Sequence, residues 1–418
     1  MPAALQSLIG FILLFVFAWA ISEKRSAITW RTVYGAVILQ IVMFLLMFNF
    51  PWFKDAADAL NDALNGVAAA TRVGTNFVFG YLGASGNPAD APFVAKDGSS
   101  TFILMTMALP LIIVVSALSS LLFYWRILPA IVNVFSWVLK KSIGIGGAVG
   151  VSTAANIFLG TVEAPLFIKP YLAKLSRGEL FITMAGGMAG IAGTVMVIYS
   201  IMLFPVVKEA GAHILIVSFI SAPAAVAFSA LMIPHEGPVT DGDIATDNPS
   251  SSVMDAITQG TVDGVGSYIN VAAMLIVLTA LIALTNMIIG IPFEKGAGPT
   301  LQGILGWIMR PVVWLIGIPW NEAQTAGSLM GTKTVLNEFI AFLDMAKLPP
   351  DALSPRSKVM MIYALCGFAN FASIGIMIGG LGTICPERRN DIIDLGYKSL
   401  VAGSLATLSC GALVGMVY

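Results

Sequence analysis

The chain has 418 residues, of which 57% are hydrophobic and only 11% carry a formal charge. Soluble domains carry about 25% charged residues, so the composition excludes one and predicts a polytopic membrane protein. A net charge of −1 gives no electrostatic case for a nucleic-acid partner.

Apolar runs long enough to cross a bilayer, which takes about 20 residues, occur near 4–22, 32–50, 102–124, 179–205, 212–233, 268–291, 358–384 and 394–417. They predict eight spans, several interrupted by glycine or polar residues. The N-terminus lacks the basic start and cleavage site of a signal peptide, so the first run is expected to remain as a membrane helix. Lys24, Arg25 and Arg31 lie between the first two spans. Short basic loops favour the cytoplasm, which puts the N-terminus outside. Arg126, Lys140 and Lys141 after the third span, and Arg388 and Arg389 after the seventh, agree.

Pro51–Val73 reads as an amphipathic interfacial helix, with Trp52, Ala56, Leu60, Leu64 and Val67 at helical spacing. Gly80–Ser100 reads as a polar loop, and Ser251–Tyr268 as a second polar-faced segment. The three cysteines, Cys366, Cys385 and Cys410, show no metal-ligand spacing and read as small buried hydrophobes. No metalloprotease, serine-hydrolase or phosphate-loop pattern is present. Enzymatic function is therefore not expected.

The order of elements repeats. An amphipathic segment, a span and a Trp-containing apolar segment occur at 52–72, 102–124 and 127–142, and again at 251–267, 268–291 and 301–317. A glycine-broken polar stretch follows each set, and then a span interrupted in its middle. The interruptions are Gly186–Gly193 and Gly367–Ser373. With eight spans the two copies enter from opposite sides. The fold class is therefore an all-α polytopic membrane protein, an inverted-repeat transporter with two re-entrant helical hairpins and two unwound transmembrane helices. Five segments follow: 1–73, two spans and an interfacial helix; 102–142, a scaffold span and interfacial helix; 143–233, the first hairpin with the fourth and fifth spans. The remaining two are 251–317, an interfacial helix, the sixth span and a further interfacial helix, and 318–418, the second hairpin with the seventh and eighth spans.

The first hairpin tip lies in Ala154–Leu166, AANIFLGTVEAPL. Asn156, Thr161 and Glu163 surround Gly160, and Pro165 follows. The predicted break is at Leu159–Gly160, with a second helix from near Thr161. A carboxylate at bilayer depth costs about 2.5–3.5 kcal/mol on insertion scales, so Glu163 is expected to face a cavity, partner or ion. Glu338, at the end of Gly331–Glu338, holds the matching place in the second copy. The two carboxylates are expected to meet in one pocket near midplane. Asn337 and Asn370 offer donors and acceptors suited to sugar hydroxyls, and Phe368 a face for a planar ring. The bland alternative is that these polar groups only hold helices together. Lys333 reads as a hairpin-tip charge that snorkels to solvent. Asn321 and Glu322 read as a cap or anchor for the second hairpin.

Four motifs carry a family resemblance: AANIFLGTVEAP (154–165), GIPWNEAQTAG (317–327), GTKTVLNEFIAF (331–342) and ALCGFANFASIGIMIGGLG (364–382). With them the chain resembles the concentrative nucleoside transporter family, in its bacterial eight-span form. The resemblance implies a homotrimer in the inner membrane, importing nucleosides with a cation. Gly160, Thr161, Val162, Glu163 and Val195 would face the nucleobase, and Glu338, Phe368, Asn370 and Ser373 the ribose. Asn156, the Leu159 carbonyl, Gly190 and the Ile191 carbonyl fall at the family's sodium site. Two departures stand out. The family's tip Gly-Gln-Thr-Glu is here Gly160-Thr161-Val162-Glu163, which weakens hydrogen bonding to the base edge. At Gly190 many members carry serine, whose hydroxyl ligates sodium. Sodium is favoured as coupling ion, with a proton as the alternative. A transporter of another solute, an uncoupled channel and a membrane-embedded hydrolase are the competing functions.

Overall fold

The computed structural model describes residues 2–83, 103–242, 250–293 and 298–418, and the regular elements among them are all helical. Much of the predicted 80–100 loop lies outside these residues. In chain order, α1 (Ala3–Ala20), α2 (Trp30–Asn49) and α3 (Pro51–Phe79) are followed by α4 (Leu104–Met107), α5 (Leu111–Tyr124) and α6 (Ile127–Ile143). The first hairpin contains α7 (Gly147–Ala155), α8 (Glu163–Leu166) and α9 (Lys169–Leu172). The fourth span is split into α10 (Arg177–Ala189) and α11 (Gly193–Leu203), and α12 (Ala210–Met232) is the fifth. Then come α13 (Val253–Gly290) and α14 (Leu301–Leu315), and the second hairpin, α15 (Ala323–Val335) and α16 (Glu338–Ala346). The seventh span is split into α17 (Pro355–Leu365) and α18 (Phe371–Ile384), and α19 (Arg389–Val417) ends the chain.

Among the described residues, six helical stretches are long and apolar enough to cross a membrane: α1, α2, α4 with α5, α12, α13, and Pro386–Val417. The two broken spans complete the expected eight. The predicted segment 251–268 and the sixth span are one continuous helix, α13. The sequence at their junction has no proline, so nothing interrupts the i to i−4 ladder there. Helix α3 likewise runs on past Val73 to Phe79. The side chains of Trp52, Ala56, Leu60 and Leu64, on which its apolar stripe was read, lie outside the described residues.

The chain divides into two compact units: Met1–Lys54, Ile131–Thr246 and Ile282–Tyr418 in one, Asp55–Ala130 and Asp247–Leu281 in the other. In the second unit, α13 packs on α5 through glycines four residues apart. A Cβ on Gly264 would stand 2.8 Å from the Ile113 Cα, and one on Gly260 2.6 Å from the Ser120 Cβ. Small residues at this spacing let membrane helices approach closely.

In the first unit, α12 and α19 form the core. Their most apolar windows are 89% and 78% buried, against 28% for α1 and 22% for α2. Helix α1, about 27 Å long at 1.5 Å per residue, gives the unit two ends. At its finish, Glu23 accepts from Arg177 at 3.0 Å and from Lys398 at 2.5 Å, while Lys24 pairs with Glu236 at 2.6 Å. Donation from Arg177, with Lys398 adding to it, holds the Glu23 carboxyl below the usual range against the opposing effect of burial. Beside these charges Ser176 caps α10, reciprocated by Glu179, whose carboxylate also accepts from the Thr240 N–H at 2.7 Å. That is the base of the first hairpin. At the start of α1, Arg356 donates to the Ser7 hydroxyl at 2.9 Å and to the Gly317 carbonyl at 2.7 Å. Glu322 accepts from the Ser354 N–H at 3.1 Å. That is the base of the second hairpin, so Glu322 is its anchor. The hairpins enter from opposite ends, as an inverted repeat requires.

Candidate functional site

Each hairpin tip is shaped by where its helix stops. In the first, α7 ends at Ala155 and helix resumes only at Glu163, so the break spans Asn156–Val162, wider than predicted. The Gly160 N–H donates to Glu163 Oε2 at 2.5 Å, closing the tip on itself. A Cβ at Gly160 would lie 2.6 Å from that oxygen, so a larger residue there would displace the Glu163 carboxylate from the tip. In the second hairpin, Leu336 and Asn337 separate α15 from α16, and the Asn337 side-chain oxygen accepts from the Ile340 N–H at 2.9 Å. Its acceptor is used in building the helix rather than held for a ligand.

The fourth span breaks at Gly190–Ala192, later than Gly186 and Gly187, which stay inside α10. Those two glycines receive the first tip. A Cβ on Gly186 would stand 3.2 Å from Asn156 Nδ2, and one on Gly187 3.2 Å from the Thr161 Cα. The Gly193 N–H donates to the Phe158 carbonyl at 2.8 Å, locking tip to break. The seventh span breaks at Cys366–Asn370. Gly367 has φ +148°, a conformation open chiefly to glycine, and a Cβ there would stand 2.8 Å from the Ala189 carbonyl oxygen. The two breaks are bonded to each other: the Phe368 N–H donates to the Gly190 carbonyl at 3.1 Å.

Around the second break, Asn370 caps α18 by accepting from the Ser373 N–H at 2.8 Å, and its Nδ2 donates to Glu338 Oε2 at 3.0 Å. The Tyr199 hydroxyl donates to Glu338 Oε1 at 2.7 Å. Glu338, Asn370, Ser373 and Tyr199 are buried, and Phe368 is half-buried. Charge-assisted donation to both oxygens offsets the cost of burying the carboxylate.

The two acidic groups read as equivalents in sequence differ in environment. Glu338 is 4% exposed, whereas Glu163 is exposed. Thr161 and Val162 are half-buried, and the Val162 side chain lies where a Cβ on Gly380 of α18 would be. Val195, on the first turn of α11, is half-buried.

Asn156 is 3% exposed, and neither Oδ1 nor Nδ2 has a hydrogen-bond partner. Ser152 and Thr153, one turn earlier on α7, are fully buried with hydroxyls equally unpartnered. Elsewhere Ser200, Ser218, Thr183 and Thr334 donate to the carbonyl four residues back. A buried unpaired amide is costly, and its oxygen is a hard donor suited to a small cation. Gly190 and Ile191 are buried and Leu159 is half-buried. The Asn156 carbonyl would stand 2.8 Å from a Cβ on Gly190.

Two residues of this region lie outside the site expected from sequence. Tyr199 is one; the signal for it is a tyrosine inside the fourth span, where its hydroxyl needs a partner. Lys333 was expected to reach solvent. It has no exposed surface, and its Nζ donates to the Ala364 carbonyl at 2.8 Å and Thr407 Oγ1 at 3.1 Å. The expectation failed because α15 packs against α17, which encloses the side chain.

Three family models match the chain. "Na+ dependent nucleoside transporter N-terminus" matches residues 9–82, "Nucleoside recognition" 105–206, and "Na+ dependent nucleoside transporter C-terminus" 213–415. The chain is 31% identical to the nucleoside permease NupC of Helicobacter pylori, over 99% of this chain and 98% of that protein. It is similar to the solved structure of CNTnw in an inward-facing substrate-bound state, at TM-score 0.90 and 36% identity, covering 100% of this chain and 99% of that one. A doubly substituted CNTnw in an outward-facing state aligns at TM-score 0.89 and 35% identity, covering 100% and 98%.

Proposed function

We propose that this chain, which belongs to the concentrative (Na+ dependent) nucleoside transporter family, imports nucleosides with a coupling cation across the bacterial inner membrane. The first tip, with Gly160, Thr161, Val162, Glu163 and Val195, faces the base. Glu338, Phe368, Asn370 and Ser373 face the ribose, the Glu338 carboxylate accepting from sugar hydroxyls. Sodium is favoured over a proton as the co-transported ion. The orphaned Asn156 amide supports this, with the Gly190 backbone packed against Asn156; the Leu159 and Ile191 carbonyls would complete the ligand set. The names of the matching family models also refer to sodium.

The observation that carries the reading is the Phe368–Gly190 bond. It ties the backbone of the proposed cation side to that of the proposed ribose side, so filling one can order the other. Segments 143–233 and 318–418 would form the moving part, and 102–142 and 251–317 the scaffold of a homotrimer. The site would face one side of the membrane and then the other, in keeping with the inward-facing and outward-facing forms of CNTnw. One positive charge entering with the substrate gains about 2.3 kcal/mol at 100 mV, roughly fiftyfold in gradient. Labelled uridine uptake into proteoliposomes, with a panel of competing nucleosides and with sodium or a proton gradient, tests the proposal. Accumulation driven by a sodium gradient is expected. Equilibration without accumulation under either gradient would refute it.

A further inference from the structure

Lys333 is a charge with no exposed surface, at the end of α15. An ammonium at membrane depth is expensive, and such groups are retained where they act. The acceptor it has taken indicates the act. In an unbroken helix the Ala364 carbonyl would accept from the Phe368 N–H four residues on. That N–H instead donates to Gly190 at 3.1 Å. The break thus strips Ala364 of its donor, and the Lys333 ammonium replaces it at 2.8 Å. A cation at a helix C-terminus also complements the negative end of the helix dipole. The second bond, to Thr407 Oγ1 at 3.1 Å, ties the same ammonium to α19. One group therefore joins the second hairpin, the point where the seventh span unwinds, and the last helix. The unwound segment it borders contains Phe368 and ends at Asn370, which donates to Glu338 at 3.0 Å.

We propose that Lys333 is a positioning residue: it fixes where the seventh span unwinds, and so sets Asn370 and Phe368 for the sugar. It is a tethered cation that makes the second break stable without a bound ion. The proposal rests on the nucleoside reading of the site.

The test is equilibrium binding of uridine and of 2′,3′-dideoxyuridine to the purified full-length protein. Lys333→Met should weaken uridine about tenfold or more, with dideoxyuridine changed less than about threefold, so that preference for the intact ribose collapses. Thr407→Val should shift the preference the same way by about threefold, and Thr407→Ser should keep it, since only the hydroxyl is needed. An unchanged preference in Lys333→Met overturns the proposal even if both affinities fall, because uniform loss marks a purely structural role. Should Lys333→Met fail to fold, Thr407→Val decides, and an unchanged preference there overturns it equally. Wild-type protein that binds uridine without preferring it also overturns it. Wild-type protein that binds no nucleoside refutes the functional reading instead.

Discussion

The hydroxyl of Tyr199 stands 2.7 Å from Oε1 of Glu338 and donates to it. A residue of the first repeat's broken span thus orients the acid of the second repeat's hairpin. Removing the hydroxyl leaves a buried carboxylate oxygen one donor short, a loss worth about 1–3 kcal/mol. Tyr199→Phe should therefore weaken uridine binding about tenfold to a hundredfold while leaving the fold intact, read by equilibrium binding. Wild-type affinity would mean that Asn370 alone suffices to orient Glu338.

At the first tip, the proposed base edge meets Thr161 and Val162, where the family pattern has a glutamine and a threonine. Val162 sits against Gly380, and threonine has nearly the same shape, so the exchange fits. Thr161→Gln combined with Val162→Thr restores an amide and a hydroxyl. Uridine affinity should rise severalfold, about 0.5–1.5 kcal/mol for each net hydrogen bond. Unchanged or weaker affinity in a binding titration would contradict the assignment of this tip to the base.

Gly190 presents a question of space. Its φ of −85° is open to any residue, yet a Cβ would lie 2.8 Å from the Asn156 carbonyl oxygen. Gly190→Ser must push the first tip away before its hydroxyl can serve a cation. Overpacking of this kind costs about 1–3 kcal/mol. Thermal unfolding should show a lower Tm and no greater stabilisation by sodium than in the wild type. A larger sodium-dependent rise in Tm would show that the serine acts as an added ligand.

The fold was legible because the repeat is written in composition. Apolar length gives the spans, and glycine with polar residues marks the breaks. The exact break points were less legible. Gly186-Gly187 and Gly190 look alike in sequence, but the first pair is kept helical because it receives Asn156 and Thr161, while Gly190 hands its carbonyl to Phe368. The fusion of 251–268 with the sixth span was missed because a polar face was taken for the end of a helix. Glu163 and Glu338 share a pattern but not an environment, since burial depends on which helices close over each tip. Tyr199 and Lys333 escaped for the same reason: their partners, Glu338, Ala364 and Thr407, are 31 to 139 residues away.

If Glu338, held between Tyr199 and Asn370, recognises the sugar of a transported nucleoside, its removal should abolish transport. Uptake of labelled uridine and adenosine into proteoliposomes by Glu338→Ala protein, at matched reconstitution, addresses it most directly. Uptake of both should fall to the level of empty vesicles. Wild-type uptake of both would contradict it.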